Sequence, residues 1–170
     1  MFYTDPASGN FIEAGQVDCN GKDLTLQTNS SYVYEPDKKD QTGIDYSNDI
    51  VKWSISGDGP IPTINQSSSV VFPDVSQITS SKTIDKTKNY RLSADRAWDC
   101  DSVLFMLGGI VHVEGPSTNA STFTVKEMSS LKAGTNYVQI TGYNYNLQFH
   151  DSKGFYFVKE TVVTEQVTIQ

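Results

Sequence analysis

The sequence predicts an all-β fold: a two-sheet sandwich with additional strands at its N-terminal end. Three observations predict it. Ser, Thr, Asn, Tyr and Val are plentiful while charged residues make up only 19% of the chain, and β-branched and aromatic side chains suit a pleated, half-buried surface. Short runs of alternating apolar residues recur with Gly, Pro or Asn between them, which is the pattern of strands and turns. Helical spacing is scarce. In "FTVKEMSSLKAG" the residues Val125, Met128 and Leu131 fall on one helical face, but the stretch begins as alternation, so it reads as a strand followed by at most one helical turn.

Taken in order, "GQVDCNGKDLTLQT" is a hairpin, with Val17 and Cys19 before an Asn20-Gly21 turn and Leu24 and Leu26 after it. Asn-Gly tolerates the positive φ that tight hairpins require. "SSYVYEP" and "DIVKWSIS" are further short strands, and "GDGPIPTINQSSS" reads as a long loop or linker, because Gly and Pro break a ladder. "VVFPDVSQI" reads as an edge strand, since Pro73 has no N–H to donate. "NYRLSAD" alternates with Tyr90, Leu92 and Ala94 inward. "SVLFML" is apolar on both faces and therefore needs cover on both. "IVHVEG", "STFTV", "NYVQITGY" and "GFYFVKETVVTEQVTI" complete the chain. So many strands in roughly 100 residues, each with its turn signal, give a sandwich.

The expected organisation is an N-terminal β-strand extension, 1–66, packed on a sandwich formed by 67–170. Leu104 and Met106, on a doubly apolar strand Val103–Leu107, need cover beyond the sandwich core. A chain of 170 residues can bury roughly 70% of its unfolded surface, so it needs no metal or dense disulfides to fold.

The net charge of −7 and pI of about 4.7 argue against nucleic acid, because neutralising phosphates needs a basic patch; Lys82, Lys86 and Lys88 are the nearest approach to one. No apolar run approaches the ~20 residues that span a bilayer, and the longest, "VLFMLGGIVHV", is broken by Gly108 and Gly109. "MFYTDPASGN" lacks the basic start and apolar stretch of a signal peptide. The composition is nonetheless that of a secreted or cell-surface protein, so the expectation is a chain whose targeting segment lies outside this sequence.

"LKAGTNY", Leu131 to Tyr137, resembles the corner before strand F of fibronectin type III and related immunoglobulin-like modules of secreted or cell-surface, often bacterial, proteins. The resemblance covers 67–170 and implies an immunoglobulin-like sandwich. It also implies a structural corner in which Leu131 is the inward anchor, Gly134 the turn residue and Tyr137 the tyrosine whose hydroxyl bonds back to the backbone. One feature departs from the family: Val138 and Ile140 are apolar where Gln139 and Thr141 should be, and a one-residue slip turns every side chain to the other face.

In a sandwich of this kind the B–C and F–G loops meet at one end. Here these are "DRAWDCD" and "NYNLQFHDSKG", which bring Arg96, Trp98, Tyr145, Phe149 and His150 towards one surface. Aromatic rings among polar neighbours suit a protein or glycan partner; the other reading tucks Trp98 and Phe149 under the loops as satellite core. Asp95, Asp99 and Asp101 offer oxygen ligands at a spacing that matches no EF-hand, and otherwise form a solvated turn. His112 and His150 lack the short paired spacings of zinc sites. Glu114, Glu127 and Glu160 are acids of a kind any β protein carries, and no nucleophile or phosphate-loop motif accompanies them. Cys19 and Cys100 either bridge, closing a loop of about 80 residues for roughly 4.5 kcal/mol, or are two buried thiols acting as small hydrophobes. The functional expectation is a non-catalytic adhesion, binding or assembly module without cofactor or metal. A carbohydrate-binding module using exposed aromatics, among them the Tyr143–Tyr145 pair, is the alternative, and an enzyme of unstated type is third.

Overall fold

A computed structural model describes residues 2, 8–39, 42–150 and 153–170. The chain is all-β and forms two compact units, Met1–Ser69 with Phe149–Gly154, and Val70–Gln148 with Phe155–Gln170. The division after Ser69 falls three residues beyond the expected one. The stretch Phe149–Gly154, expected as part of the sandwich, groups with the N-terminal residues instead.

The first unit contains β1 (Val17–Cys19), β2 (Lys22–Asp23), β3 (Thr25–Leu26), β4 (Tyr32–Val33), β5 (Val51–Ile55) and β6 (Ile64–Ser68). A four-stranded sheet runs β2-β1-β5-β6, and β3 pairs with β4. The β1–β2 turn is Asn20-Gly21, with φ of 49° and 77°, as the sequence predicts. The supposed linker is different: Ile64–Ser68 pairs with β5 in full register, from Ile55↔Ile64 to Val51↔Ser68. Asn, Gln and Ser are poor strand formers by propensity, but an edge strand is selected by its partner's ladder, and buried Ile64 and Ser68 keep the two-residue period.

The second unit contains β7 (Thr83–Ile84), β8 (Tyr90–Ser93), β9 (Ser102–Leu107), β10 (Ile110–Glu114), β11 (Ala120–Phe123), the single-turn helix α1 (Val125–Met128), and most of two long strands, β12 (Gly134–His150) and β13 (Lys153–Ile169). One sheet has the order β10-β9-β12-β13-β7, and a second pairs β11 with β8. Among the described pairings β7 runs parallel to its neighbour, β13. The two sheets share one core. Tyr90, Leu92 and Phe123 of the smaller sheet pack with Val103, Phe105, Leu107, Val138, Ile140, Val167 and Ile169 of the larger, which makes the unit sandwich-like. The stretch before β8 is looser than the expected edge strand: around Pro73 only isolated bridges form, at Asp74 and Ile78.

Two local expectations are corrected. Strand β9 is not buried on both faces; Val103, Phe105 and Leu107 are buried while Ser102, Leu104 and Met106 are half-buried, so it is an ordinary one-sided strand. Tyr137 is not the corner tyrosine. It is 54% exposed, because Val138 and Ile140 take the inward phase and a two-residue period then points Tyr137 outward. The corner is held by α1 instead. Thr124 and Glu127 form a reciprocal capping box, Met128 is buried, Leu131 packs against the core, and the Leu131 carbonyl accepts from Lys86 Nζ at 2.6 Å. Gly134, with φ of +117°, adopts the backbone that the turn into β12 requires.

Candidate functional site

Of the five expected binding residues, Trp98 lies in the core and the other four are divided between the two units. Trp98 is 1% exposed: it belongs to the core, its indole N–H donates to Ser76 Oγ at 2.9 Å, and it lies against Gly142. Arg96 is exposed and paired with Asp74 at 2.9 Å. His150 Nδ1 is 3.4 Å from Gln66 Nε2, within the first unit. Phe149, also grouped with the first unit, is 69% exposed, and Tyr145 is 54% exposed. The two segments expected to meet do so at one point: the Tyr145 N–H donates to Asp101 Oδ2 at 2.9 Å, and Asp101 N–H donates to the Tyr143 carbonyl at 2.9 Å. This bonding gives Asp101 a structural role, and among the described residues no group of three metal-ligating side chains forms. The segment read as the F–G loop is instead largely strand, the distal part of β12 and β13; of it, Asp151 and Ser152 lie outside the described residues.

That distal hairpin carries a group of exposed apolar side chains. Gln139 Nε2 donates to Thr164 Oγ1, so odd positions of β12 share a face with even positions of β13. Tyr145 and Leu147 therefore lie beside Tyr156 and Val158, and these four are 54%, 39%, 71% and 57% exposed. The opposite face is covered. Phe157 and Lys159 are buried there, Lys159 Nζ sits 4.5 Å from the Phe72 ring centre, and Asn144 Nδ2 donates to the Val71 carbonyl at 3.1 Å. One side of this ribbon is thus anchored and the other is apolar and open. Isolated exposed apolar side chains are ordinary, but grouped ones mark contact surfaces.

A second constellation joins residues that the sequence reading kept apart. Ser121 Oγ is 2.9 Å from His112 Nδ1, and His112 Nε2 is 2.9 Å from Glu127 Oε1. The order hydroxyl–imidazole–carboxylate is that of an acyl-transfer triad. Its proton logic is not. The Ser121 hydroxyl donates to Glu114 Oε1 at 2.8 Å, so its hydrogen points at a carboxylate and its oxygen accepts from His112. Ser121 is also buried, and the imidazole lies flat on Phe123 at 4.4 Å. The network pins β10, β11 and α1 to one another. Its signal was present in the sequence: Thr124-x-x-Glu127 is a capping-box pattern.

Glu127 also makes acid stability predictable. The Thr124 backbone N–H, then the Thr124 hydroxyl, then His112 hold its carboxyl at about 2, below its ordinary 4.5. A depressed folded-state value stabilises the fold above the ordinary value, and that contribution is lost as pH falls from 4.5 towards 2. Thermal melts over this window are expected to fall less steeply for Glu127→Gln than for the wild type; identical slopes would remove Glu127 from the linkage.

The two thiols are free and buried, Cys19 in the first unit and Cys100 in the second, so the bridge left open by the sequence is not formed. Burial pushes both thiols up, which disfavours thiolate chemistry. The Tyr46 hydroxyl, 4.0 Å from Cys19 Sγ, is pushed up to about 12 by burial and by Cys19. No family model, curated protein or solved structure matches this chain.

Proposed function

We propose that this chain is a non-catalytic adhesion, binding or assembly module of a secreted or cell-surface protein, and that its second unit is immunoglobulin-like. Strand order supports the fold reading. In β10-β9-β12-β13-β7 the middle strands follow the C′-C-F-G order of such domains, with β8 and β11 as B and E. The observation that carries the functional reading is the open face of the β12–β13 hairpin, where Tyr145, Leu147, Tyr156 and Val158 stand exposed together. Tyrosine supplies large contact area at small entropic cost, and such side chains dominate the energetics of protein interfaces. A protein partner is favoured because two aliphatic side chains sit among the rings.

The test is a Tyr145→Ser/Tyr156→Ser double variant. Both rings are exposed, so its melting temperature is expected to stay close to the wild type. Attachment to the cell-surface fraction of the source organism, or self-association followed by sedimentation, is expected to weaken by at least about tenfold, the scale of one modest hot spot. Attachment and association both undiminished in the double variant would rule out this face.

A further inference from the structure

The first unit holds a concavity of about 780 Å³, within the ~300–1,000 Å³ of small-molecule sites. Its floor is the face of the sheet opposite to that of buried Val17, Val51 and Ile55. Strand register fixes the arrangement: Asp18 stands beside Ser54, Ser54 beside Asn65, and Lys52 beside Ser67 in the next row. A wall comes from the segment at 45–50, where Asp45 and Asn48 reach the same space.

The wall is rigidly held. Asn20 donates to the carbonyls of Asp45 at 2.7 Å and Ile50 at 2.9 Å, and its own carbonyl oxygen accepts from Lys52 N–H at 2.7 Å. The Asn20 amide is thereby spent on structure. The side chains of Asn48, Lys52, Ser54 and Asn65 are not: among the described residues they make no hydrogen bond to protein. Asp18 commits one carboxylate oxygen to Gly21 N–H and keeps the other, while Asp45 accepts from Ser47 N–H and from the Ser47 hydroxyl.

We propose that this concavity is a binding site for a neutral saccharide. The lining mixes donors (Lys52, the two free amides and the Ser54 hydroxyl) with acceptors (two carboxylates and the amide oxygens). A sugar hydroxyl donates and accepts at once, so each finds both kinds of partner here. The alternatives fit less well. Two carboxylates against one ammonium disfavour a phosphate or other anion, and a peptide side chain would find little apolar lining beyond Ile50 and Trp53. The site is independent of the hairpin face, so either stands if the other fails.

The experiment is amide NMR of the full chain titrated with defined neutral hexasaccharides in gluco, manno, xylo and galacto series. One series is expected to shift the amides of Asp18, Ser54, Asn65 and Ser67. An Asn65→Ala/Ser54→Ala variant, both sites being exposed, is expected to keep the wild-type melting temperature and lose at least tenfold in affinity. No shifts with any series would overturn the proposal. So would shifts confined to Tyr145 and Tyr156, shifts produced by calcium chloride alone, or undiminished affinity in the double variant.

Discussion

Replacing Trp98 with alanine is expected to destabilise the protein by about 3–5 kcal/mol, the cost of removing a large buried aromatic side chain. Three contacts set this expectation near the upper end. The side chain is 1% exposed, so nearly all of its surface is withdrawn from water. The indole N–H is bonded to Ser76 Oγ, and truncation would leave that hydroxyl short of a partner. The ring fills the space in front of Gly142, where an added Cβ would come within 2.8 Å of Trp98 Cε3 and 2.9 Å of Pro73 Cβ. The chain has one further tryptophan, Trp53. In a Trp53→Phe background the remaining emission is therefore expected to resist acrylamide quenching. A urea midpoint unmoved by Trp98→Ala, or emission quenched as readily as free tryptophan, would return Trp98 to the surface.

Trp98 also illustrates what could be read from the sequence and what could not. "DRAWDCD" surrounds the ring with acids, which suits a solvated loop, while the size of the ring favours a place under the loops as satellite core; the stretch around Pro73 and Ser76 covers it and bears the second reading out for Trp98. Where the deciding physics is local, the sequence is legible. Asn20-Gly21 turns the chain because both residues accept positive φ, and β11 passes into one helical turn because Thr124 and Glu127 cap it. The out-of-phase Val138 and Ile140 were visible as a departure from the tyrosine-corner pattern, and their burial turns Tyr137 outward.

Where the deciding physics was long-range pairing, the sequence was silent. Ile64–Ser68 is a strand because β5 offers it a ladder, not because Asn and Gln prefer one. Asp18, Ser54 and Asn65 become neighbours through strand register alone, so nothing in their separate contexts marks a shared surface. Ser121, His112 and Glu127 meet by side-chain packing between strands of two different sheets and a helix, which their separate contexts do not mark either. The open hairpin face was half visible, since Tyr145 was singled out. Its partners Tyr156 and Val158 lie on β13, where alternation was legible but the outward phase was not.

Gly57→Ala is expected to cost about 2–5 kcal/mol, and Gly21→Ala about 1–2. The pair separates two contributions that single glycine substitutions confound. Their backbones are nearly alike, with φ of +83° at Gly57 and +77° at Gly21, so an alanine at either site carries a similar left-handed penalty of roughly 1–2 kcal/mol. Their surroundings are not alike. A Cβ at Gly21 meets nothing within 4 Å, whereas one at Gly57 would lie 2.7 Å from the Ile61 carbonyl oxygen, 2.7 Å from Pro62 C and 2.8 Å from Thr63 N. Those are backbone atoms, and they are tied down. Asp58 and Ile61 exchange backbone hydrogen bonds at 3.0 and 2.9 Å, and Thr63 Oγ1 donates to the Ser56 carbonyl at 2.8 Å. The connection between β5 and β6 therefore has little freedom to retreat, and overpacking adds about 1–3 kcal/mol to the backbone penalty. Urea denaturation followed by far-ultraviolet circular dichroism measures both variants against the wild type. A larger loss at Gly57 is the expected result. Equal losses would mean that residues 61–63 yield to the methyl group, and the close approach at Gly57 would then carry no energetic weight.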